Sequence, residues 1–395
     1  MRILFVSDVY FPRVNGVSTS IKTFIRALEK LGHEVHLIAP NYLEHQPGNP
    51  IITRIPSRRV PLDPEDRFMS RHDVMAQAER LHRARPFDIV HVHTPFVAHY
   101  AGVALARRWG IPCVETYHTF FEEYLFHYVP LVPKAWMRAA ARHLSRTQCN
   151  DVNEVVVPST AMRDVLVQYG IRARMDIIPT GIELDRFSGG DGARFRQRHG
   201  IASDRPVMLH VGRVAFEKNI EFLLSVVERV RRTVPHVLFI IAGEGPARRS
   251  LELKAKQLGL ANNTRFIGYM DREHELLDCY RAANCKVFAS RTETQGLVLL
   301  EAMALGVPVV STAIMGTIDV LQPGSGAIVV DEDADEFAEA TIRVLTDTSE
   351  RAALSAAGLD YVRAWSSGEL AGRLINVYGD LLAQMSTHRA SSALA

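Results

Sequence analysis

Gly181-Ile182-Glu183-Leu184-Asp185-Arg186-Phe187-Ser188-Gly189-Gly190-Asp191-Gly192 places three glycines in four positions near the middle of the chain, the composition of a linker. On both sides of it short β-branched runs alternate with amphipathic stretches, the rhythm of parallel α/β architecture. Upstream, the expected strands are Arg2–Ser7, Glu34–Ala39, Ile89–His93, Pro112–Tyr117, Glu154–Pro158 and Asp176–Pro179. Helical stretches near Val17–Leu31, Ala98–Trp109, Lys134–Asn150 and Thr160–Gln168 separate them, Gly32 and Gly110 read as C-caps, and the Pro- and Arg-rich stretch Pro47–Asp66 reads as loop. Downstream the series restarts at Val207–Val211 and continues through Val237–Ala242, Thr264–Ile267, Lys286–Ala289, Pro308–Ser311 and Ala327–Val330.

With 395 residues the chain exceeds the ~250–300 at which single cores stop growing. The expected fold class is therefore α/β: two doubly wound, Rossmann-like domains, 1–185 and 186–368, joined by a hinge. Their parallel sheets would face an interdomain cleft, with ligands at the C-terminal ends of the strands. A C-terminal helix over 369–385 is expected to pack back toward the first domain, and 386–395 to form a disordered tail.

Apolar content of 47% and charge of 23% are those of an ordinary globular chain, and a net charge of +2 makes no case for nucleic acid. The charge is uneven. Residues 1–190 carry 23 basic and 19 acidic side chains, residues 191–395 carry 23 and 25, so an anionic partner is expected for the first half. Cys113, Cys149, Cys279 and Cys285 lack metal-ligand spacing and read as buried thiols in a reducing compartment. Met1–Val6 is stopped by Asp8, too short for a secretory core, and no apolar run reaches the ~20 residues needed to span a bilayer. A soluble or membrane-peripheral protein is expected.

The candidate chemistry sits in loops after strands. Glu293 lies in a turn before Gly296, whereas Glu301 lies inside the apolar run 297–305, closed by Gly306 and Pro308. A carboxylate there costs free energy unless something pairs with it. The spacing itself says nothing, since Glu115/Glu123 and Glu244/Glu252 share it. After Val207–Val211 come Arg213 and Lys218, two cations able to clamp a diphosphate or merely to face solvent. The loop Gly243-Glu244-Gly245-Pro246 either admits a ligand to the backbone or only turns tightly. Gly16, at a helix start beside Asn15, receives an anion or serves a turn with positive φ. His118 ends its strand where it would bind a hydroxyl or shuttle a proton. His91-Val92-His93 lacks a third ligand, and Asp331–Glu336 reads as an acidic helix start rather than a cation site. Lys134, Arg138, Arg142 and Arg146 recur every four residues with Trp136 and Met137 beside them, either a contact for an anionic membrane or a solvated face.

Taken in order, Asn15-Gly16-Val17, Asp88-Ile89-Val90-His91-Val92-His93-Thr94-Pro95, Gly181–Phe187, Val211-Gly212-Arg213 with Lys218, Ala242–Pro246 and the Glu293/Glu301 element resemble the retaining family-4 glycosyltransferases of GT-B fold over nearly the whole chain. The resemblance implies a donor diphosphate clamp of Arg213 and Lys218 and ribose hydroxyls on Glu301. It puts Glu293 at the donor sugar, with Gln295, Gly296 and Leu297 near sugar and phosphate. It further implies His118 beside the sugar, donor-side backbone at Gly16 and Gly243, and no metal or other cofactor. Where many members carry Glu-Ser/Gly-Phe-Gly, this chain has Glu293-Thr294-Gln295-Gly296. With Tyr117–Tyr124 and His127-Tyr128, that variant resembles the diacylglycerol glucosyltransferase branch. The expected reaction moves a hexosyl unit from a UDP-sugar to diacylglycerol at the anionic inner face of the cell membrane, with Lys134, Trp136, Arg138, Arg142 and Arg146 as the lipid contact. The rivals are a related transferase using phosphatidylinositol, a soluble glycan or GDP-mannose, a sugar-nucleotide epimerase, and an inactive binding protein.

Overall fold

The computed structural model describes residues 1–13, 15–42, 49–60, 63–118 and 134–393. They divide into two compact units, Met1–Gly181 with Ser367–Ala395, and Ile182–Ser366.

In the first unit the strands are β1 (Arg2–Val6), β2 (Glu34–Pro40), β3 (Ile52–Ile55), β4 (Ser57–Val60), β5 (Asp63–Met69), β6 (Ile89–Val92), β7 (Cys113–Thr116), β8 (Glu154–Val157) and β9 (Arg174–Ile177). Seven of these make one sheet in the order β3-β2-β1-β6-β7-β8-β9, parallel throughout. Strand order reverses between β1 and β6, so the loops leaving these two strands diverge and a crevice opens above them. The helices Gly16–Lys30 and Ser367–Ala393 share one core with this sheet, where Phe24 and Leu28 meet Ile3, Phe5, Leu37, Leu374 and Tyr378.

The second unit holds β10 (Val207–Val211), β11 (Leu238–Ala242), β12 (Thr264–Phe266), β13 (Cys285–Phe288), β14 (Val309–Ser311) and β15 (Ala327–Val329). They too form a parallel sheet, in the order β12-β11-β10-β13-β14-β15. Every residue of β10, β11 and β13 is buried, because helices cover both faces and an apolar run must serve both. Alternate residues go to opposite cores. Leu209, Val211, Ile240 and Phe288 meet the helix Leu297–Ala304, while Met208, Phe239, Ile241 and Val287 meet Ile220–Thr233 and Ala334–Thr346.

Four expectations are corrected. The units divide at Gly181/Ile182 and Ser366/Ser367, not at 185/186 and 368/369. The Ile182 N–H donates to Trp365 O at 2.8 Å, which ties the chain's entry into the second unit to its exit. The glycine-rich stretch is packed rather than slack: a Cβ on Gly192 would lie 2.4 Å from Arg281 O, and one on Gly190 2.9 Å from Leu277 O. Its glycines admit the helix Glu275–Ala282 at backbone contact. Pro47–Asp66, read as loop, contains β3 and begins a two-stranded hairpin of β4 and β5. The β-branched core of β3 was masked by its Pro- and Arg-rich surroundings; Arg54 lies 5.4 Å over the Tyr10 ring and donates to Phe11 O and Pro40 O. Finally, the last helix continues to Ala393 past the expected tail start at 386. The hydroxyls of Ser386 and Thr387 bond back to carbonyls of the preceding turn, so these two side chains are satisfied within the helix.

Candidate functional site

In the second unit the strand-order reversal falls between β10 and β13, and the loops after these strands carry the candidates. The loop after β10 runs over Gly212 and Arg213 into a short turn, Phe216–Lys218, ended by Asn219 in the left-handed region (φ 55°). Arg213 is exposed. Lys218 instead folds across, and its Nζ donates to Glu293 Oε2 at 2.7 Å. Burial pushes the Glu293 carboxyl up, but the charge and hydrogen bond of Lys218, the Gly296 N–H and the field of Lys286 bring it below the ordinary glutamate value. Glu293 is therefore a carboxylate at neutral pH, joined to the cation that the sequence assigned to a separate task.

The turn around Glu293 is built by close packing. Gly296 has φ 91° and caps the helix Leu297–Ala304, with Leu297 half-buried at its first position and Gln295 buried behind it. Gly316 donates its N–H to Glu293 O at 2.9 Å, and a Cβ there would lie 1.8 Å from Thr294 O. Gly243 has a comparable use: a side chain would meet Gly212 O at 2.0 Å, so the glycine lets two strand-end loops touch. Of the two readings for the loop Gly243–Pro246, tight packing is the one the geometry explains.

Glu301 is only 4% exposed. Its partners are residues that the sequence reading did not single out: Tyr280 donates to Oε2 at 2.9 Å, and Arg272 to Oε1. Asp271 holds the Arg272 loop by accepting the N–H groups of Glu273, His274 and Glu275. The second lone pair on each Glu301 oxygen remains chemically able to accept a ligand hydroxyl. No spacing signal could have revealed Arg272 or Tyr280, since contact across 29 and 21 residues is a tertiary matter.

In the first unit, His118 follows β7 and is hydrogen-bonded to His93 at 3.1 Å between Nε2 and Nδ1. His93 stacks on His91 at 4.3 Å. His91 is itself held by Tyr378 Oη at 2.5 Å and Thr116 Oγ1 at 2.7 Å. Burial pushes His91 and His118 down to about 3 and His93 well below its ordinary value. All three rings are neutral at pH 7, which suits hydrogen bonding to a hydroxyl better than carrying a proton. Among the described residues no group of three or more His, Cys, Asp or Glu could hold a metal ion.

Asp8, also missed, sits where β1 ends. It accepts from Thr94 Oγ1 at 2.8 Å and from the Ala98 N–H, capping the helix Val97–Trp109 from outside. Burial raises its pKa to about 6 against these hydrogen bonds. Gly16 opens the helix Gly16–Lys30, whose Asn15 cap accepts from the Ser18 N–H at 2.8 Å. Its φ is not positive, so the turn explanation fails, and a Cβ there would meet nothing within 4 Å. Val14 and the stretch 119–133, which carries most of the Tyr117–Tyr128 motif, lie outside the described residues. At the Asp331–Glu336 run, Asp333 caps the helix Ala334–Thr346 and Glu332 pairs with Arg291.

The helix Lys134–Cys149 exposes Trp136 at 75%, while Met137 turns into the core. Arg138, Arg142 and Arg146 are exposed, and residues four apart drift by about 40° per step on a helix. The cations therefore wind around the helix instead of lining up beside Trp136. Arg142 lies 5.4 Å over the Tyr169 ring. The Lys134 side chain lies outside the described residues. No described helix is long and apolar enough to cross a membrane.

Comparison with known proteins places these sites in context. Residues 14–186 match the family model described as Glycosyltransferase Family 4, and residues 191–360 match Glycosyl transferases group 1. The alpha-monoglucosyldiacylglycerol synthase of Streptococcus pneumoniae is 33% identical over 79% of this chain and 71% of its own. The protein of the same name from Acholeplasma laidlawii is 30% identical over 78% and 80%. The D-inositol 3-phosphate glycosyltransferase of Geodermatophilus obscurus is 32% identical over 76% and 68%. Among solved structures, the sucrose-phosphate synthase of Thermosynechococcus elongatus superposes with a TM-score of 0.78 at 22% identity, covering 97% of this chain and 99% of that one. Anabaena HepE in complex with UDP-glucose gives 0.75 at 16%, covering 96% and 100%.

Proposed function

Because the chain belongs to the family-4 glycosyltransferases, with their GT-B fold, we propose that it moves a hexosyl unit from a UDP-sugar to the free hydroxyl of diacylglycerol, with retention of configuration and without a metal. The observation that carries this reading is the matched pair of carboxylates and cations where strand order reverses in the second unit, Lys218 with Glu293 and Arg272 with Glu301. A nucleotide-sugar presents a diphosphate and two sets of hydroxyls, and this set of groups complements both.

Arg213 and Lys218 meet the diphosphate, Glu301 accepts the ribose hydroxyls and Glu293 those of the sugar, with the backbone of Gln295, Gly296 and Leu297 beside them. As the bond between sugar and diphosphate breaks, negative charge collects on the leaving group and both cations bind it more strongly than in the ground state. The acceptor attacks from the same face, and its hydroxyl proton passes to the departing diphosphate. His118, neutral, is suited to hydrogen-bond a hydroxyl, and Gly16, where a Cβ would meet nothing within 4 Å, is suited to a close approach of a ligand to the backbone. The diacylglycerol assignment is supported by the names of the two synthases, by Glu293-Thr294-Gln295-Gly296, and by exposed Trp136 on a helix that also exposes Arg138, Arg142 and Arg146, though not on one face with it. The inositol phosphate relative favours one other acceptor, a polar inositol.

A panel of UDP- and GDP-sugars, each offered with diacylglycerol vesicles or with inositol phosphate and followed by mass detection of products, tests the assignment. Hexosylated diacylglycerol from a UDP-sugar is the expected product, and Trp136→Ala lowers its yield on anionic vesicles several-fold. Product only on the inositol, or only from a GDP-sugar, sinks the respective half of the reading.

A further inference from the structure

Beneath the paired carboxylates lies a group that the reaction just described does not use. Lys286, on β13 in the middle of the second sheet, is wholly buried, and its Nζ has no hydrogen-bond partner. The amine stands 5.6 Å from the centre of the Tyr280 ring and 5.7 Å from that of Phe288. Tyr280 is the residue whose hydroxyl holds Glu301. On the neighbouring β10, His210 is equally buried, and it stacks on Phe288 at 6.1 Å.

The charged and titratable groups acting on Lys286 and His210 come from every surrounding element. The helix Glu275–Ala282 supplies Tyr280 and Cys279, β10 supplies His210, the turn after β10 Lys218, and the site Glu293 and Glu301. Both carboxylates already have a cation, Lys218 and Arg272 respectively. A third positive charge there, buried and without an acceptor, has no carboxylate of its own in the protein. A diphosphate arriving at Arg213 and Lys218 adds two negative charges above this amine and reverses the balance.

We propose that Lys286 is a positioning residue whose amine takes up a proton from solvent when a nucleotide-sugar diphosphate binds above it, so that the sheet beneath the donor gains a cation only while the donor is present. The lone pair of the amine accepts the proton, and no bond of the donor changes. The inference rests on the donor reading of the second unit. Burial supplies the property required: it brings Lys286 down to about 7 despite Glu301 and Glu293, whereas His210, with Lys286 and Lys218 as its charged neighbours, falls well below its ordinary range.

Calorimetric titration of the full chain with UDP-glucose, and separately with GDP-mannose, at pH 8 in phosphate, HEPES and Tris decides the matter. Both donors carry a diphosphate esterified at each end, which does not itself titrate near neutrality. The dependence of binding heat on buffer ionisation enthalpy counts the protons exchanged. The expected result is uptake of a large fraction of one proton, with affinity weakening toward about tenfold per pH unit above pH 8. Lys286→Met, or Lys286→Leu, binds with no uptake and a flat pH dependence, while His210→Phe keeps the uptake. Binding by the unaltered chain without uptake overturns the proposal, as does uptake that survives in both Lys286 variants. Absence of binding heat with either donor, confirmed by equilibrium dialysis, overturns the donor reading and this inference with it.

Discussion

The two sheets share one construction and differ in what their strand ends hold. At the C-terminal ends of β6 and β7 the first unit gathers His93 and His118, stacked and kept neutral by burial. At the ends of β10 and β13 the second gathers Lys218, Glu293 and, one helix away, Glu301 with Arg272, all in charged pairs. Similar topology thus carries neutral imidazoles at the strand ends of one unit and paired charges at those of the other. The fold provides the crevice, and the side chains at its rim choose the chemistry.

Removing charge from the second rim should have the largest effect. Lys218→Ala deletes the clamp and leaves Glu293 unmatched; turnover is expected to fall by about 10²–10³, the scale of losing one preorganised electrostatic partner, while circular dichroism keeps the α/β signature. Unchanged turnover would sink the clamp assignment. His118→Ala on the neutral rim should cost about tenfold or more in turnover. Since this ring is neutral down to about 3, the wild-type rate profile should show no inflection from it between pH 6 and 8, and one that disappears in the variant would overturn the neutral reading.

Glu301→Gln keeps the shape and removes the charge, and nucleotide affinity is expected to drop by about ten- to a hundredfold, as for hydrogen bonds to a charged acceptor. Tyr280→Phe takes away one neutral donor to that carboxylate and should cost about fivefold. Equal losses in the two variants, read by dialysis, would mean that Glu301 serves only to satisfy its neighbours.

The smallest effect concerns stability in the first unit. Glu154, at the start of β8, is buried, with Arg174 Nε 3.4 Å from its Oε2. Burial, then the charge of Asp176, raises it to about 8, with Arg174 opposing. The folded pKa lies above the unfolded value, so its contribution is fully present below about 4.5 and is lost as pH rises through about 8. Glu154→Gln should therefore raise the first unit's melting temperature by about 2–4 °C at pH 8.5 and not at pH 4.5. An equal shift at both pH values would assign the effect to something other than ionisation.

Legibility followed the range of the interactions concerned. Twelve of the strands in the two large sheets could be read from the sequence, most plainly β10, β11 and β13, because strands buried on both faces must be continuously apolar. β3 escaped because its apolar residues sit among arginines and prolines, and the Arg54 side chain that disguised it is the one that covers Tyr10. The Glu293/Glu301 element was visible as a turn followed by an improbable carboxylate in an apolar helix. Its partners were not, since nothing in local sequence marks Arg272 or Tyr280.

By itself, then, the sequence determined the two parallel sheets, the order of the motifs and the family, because periodicity and composition express which surfaces must be buried. Only the tertiary structure decided how the charges are matched. Lys218 finds Glu293 across 75 residues and His91 finds Tyr378 across 287, distances at which sequence carries no pattern. It also turned the glycine-rich stretch at 189–192 from a slack linker into a packed one, because the helix Glu275–Ala282 leaves no room for a Cβ at Gly190 or Gly192.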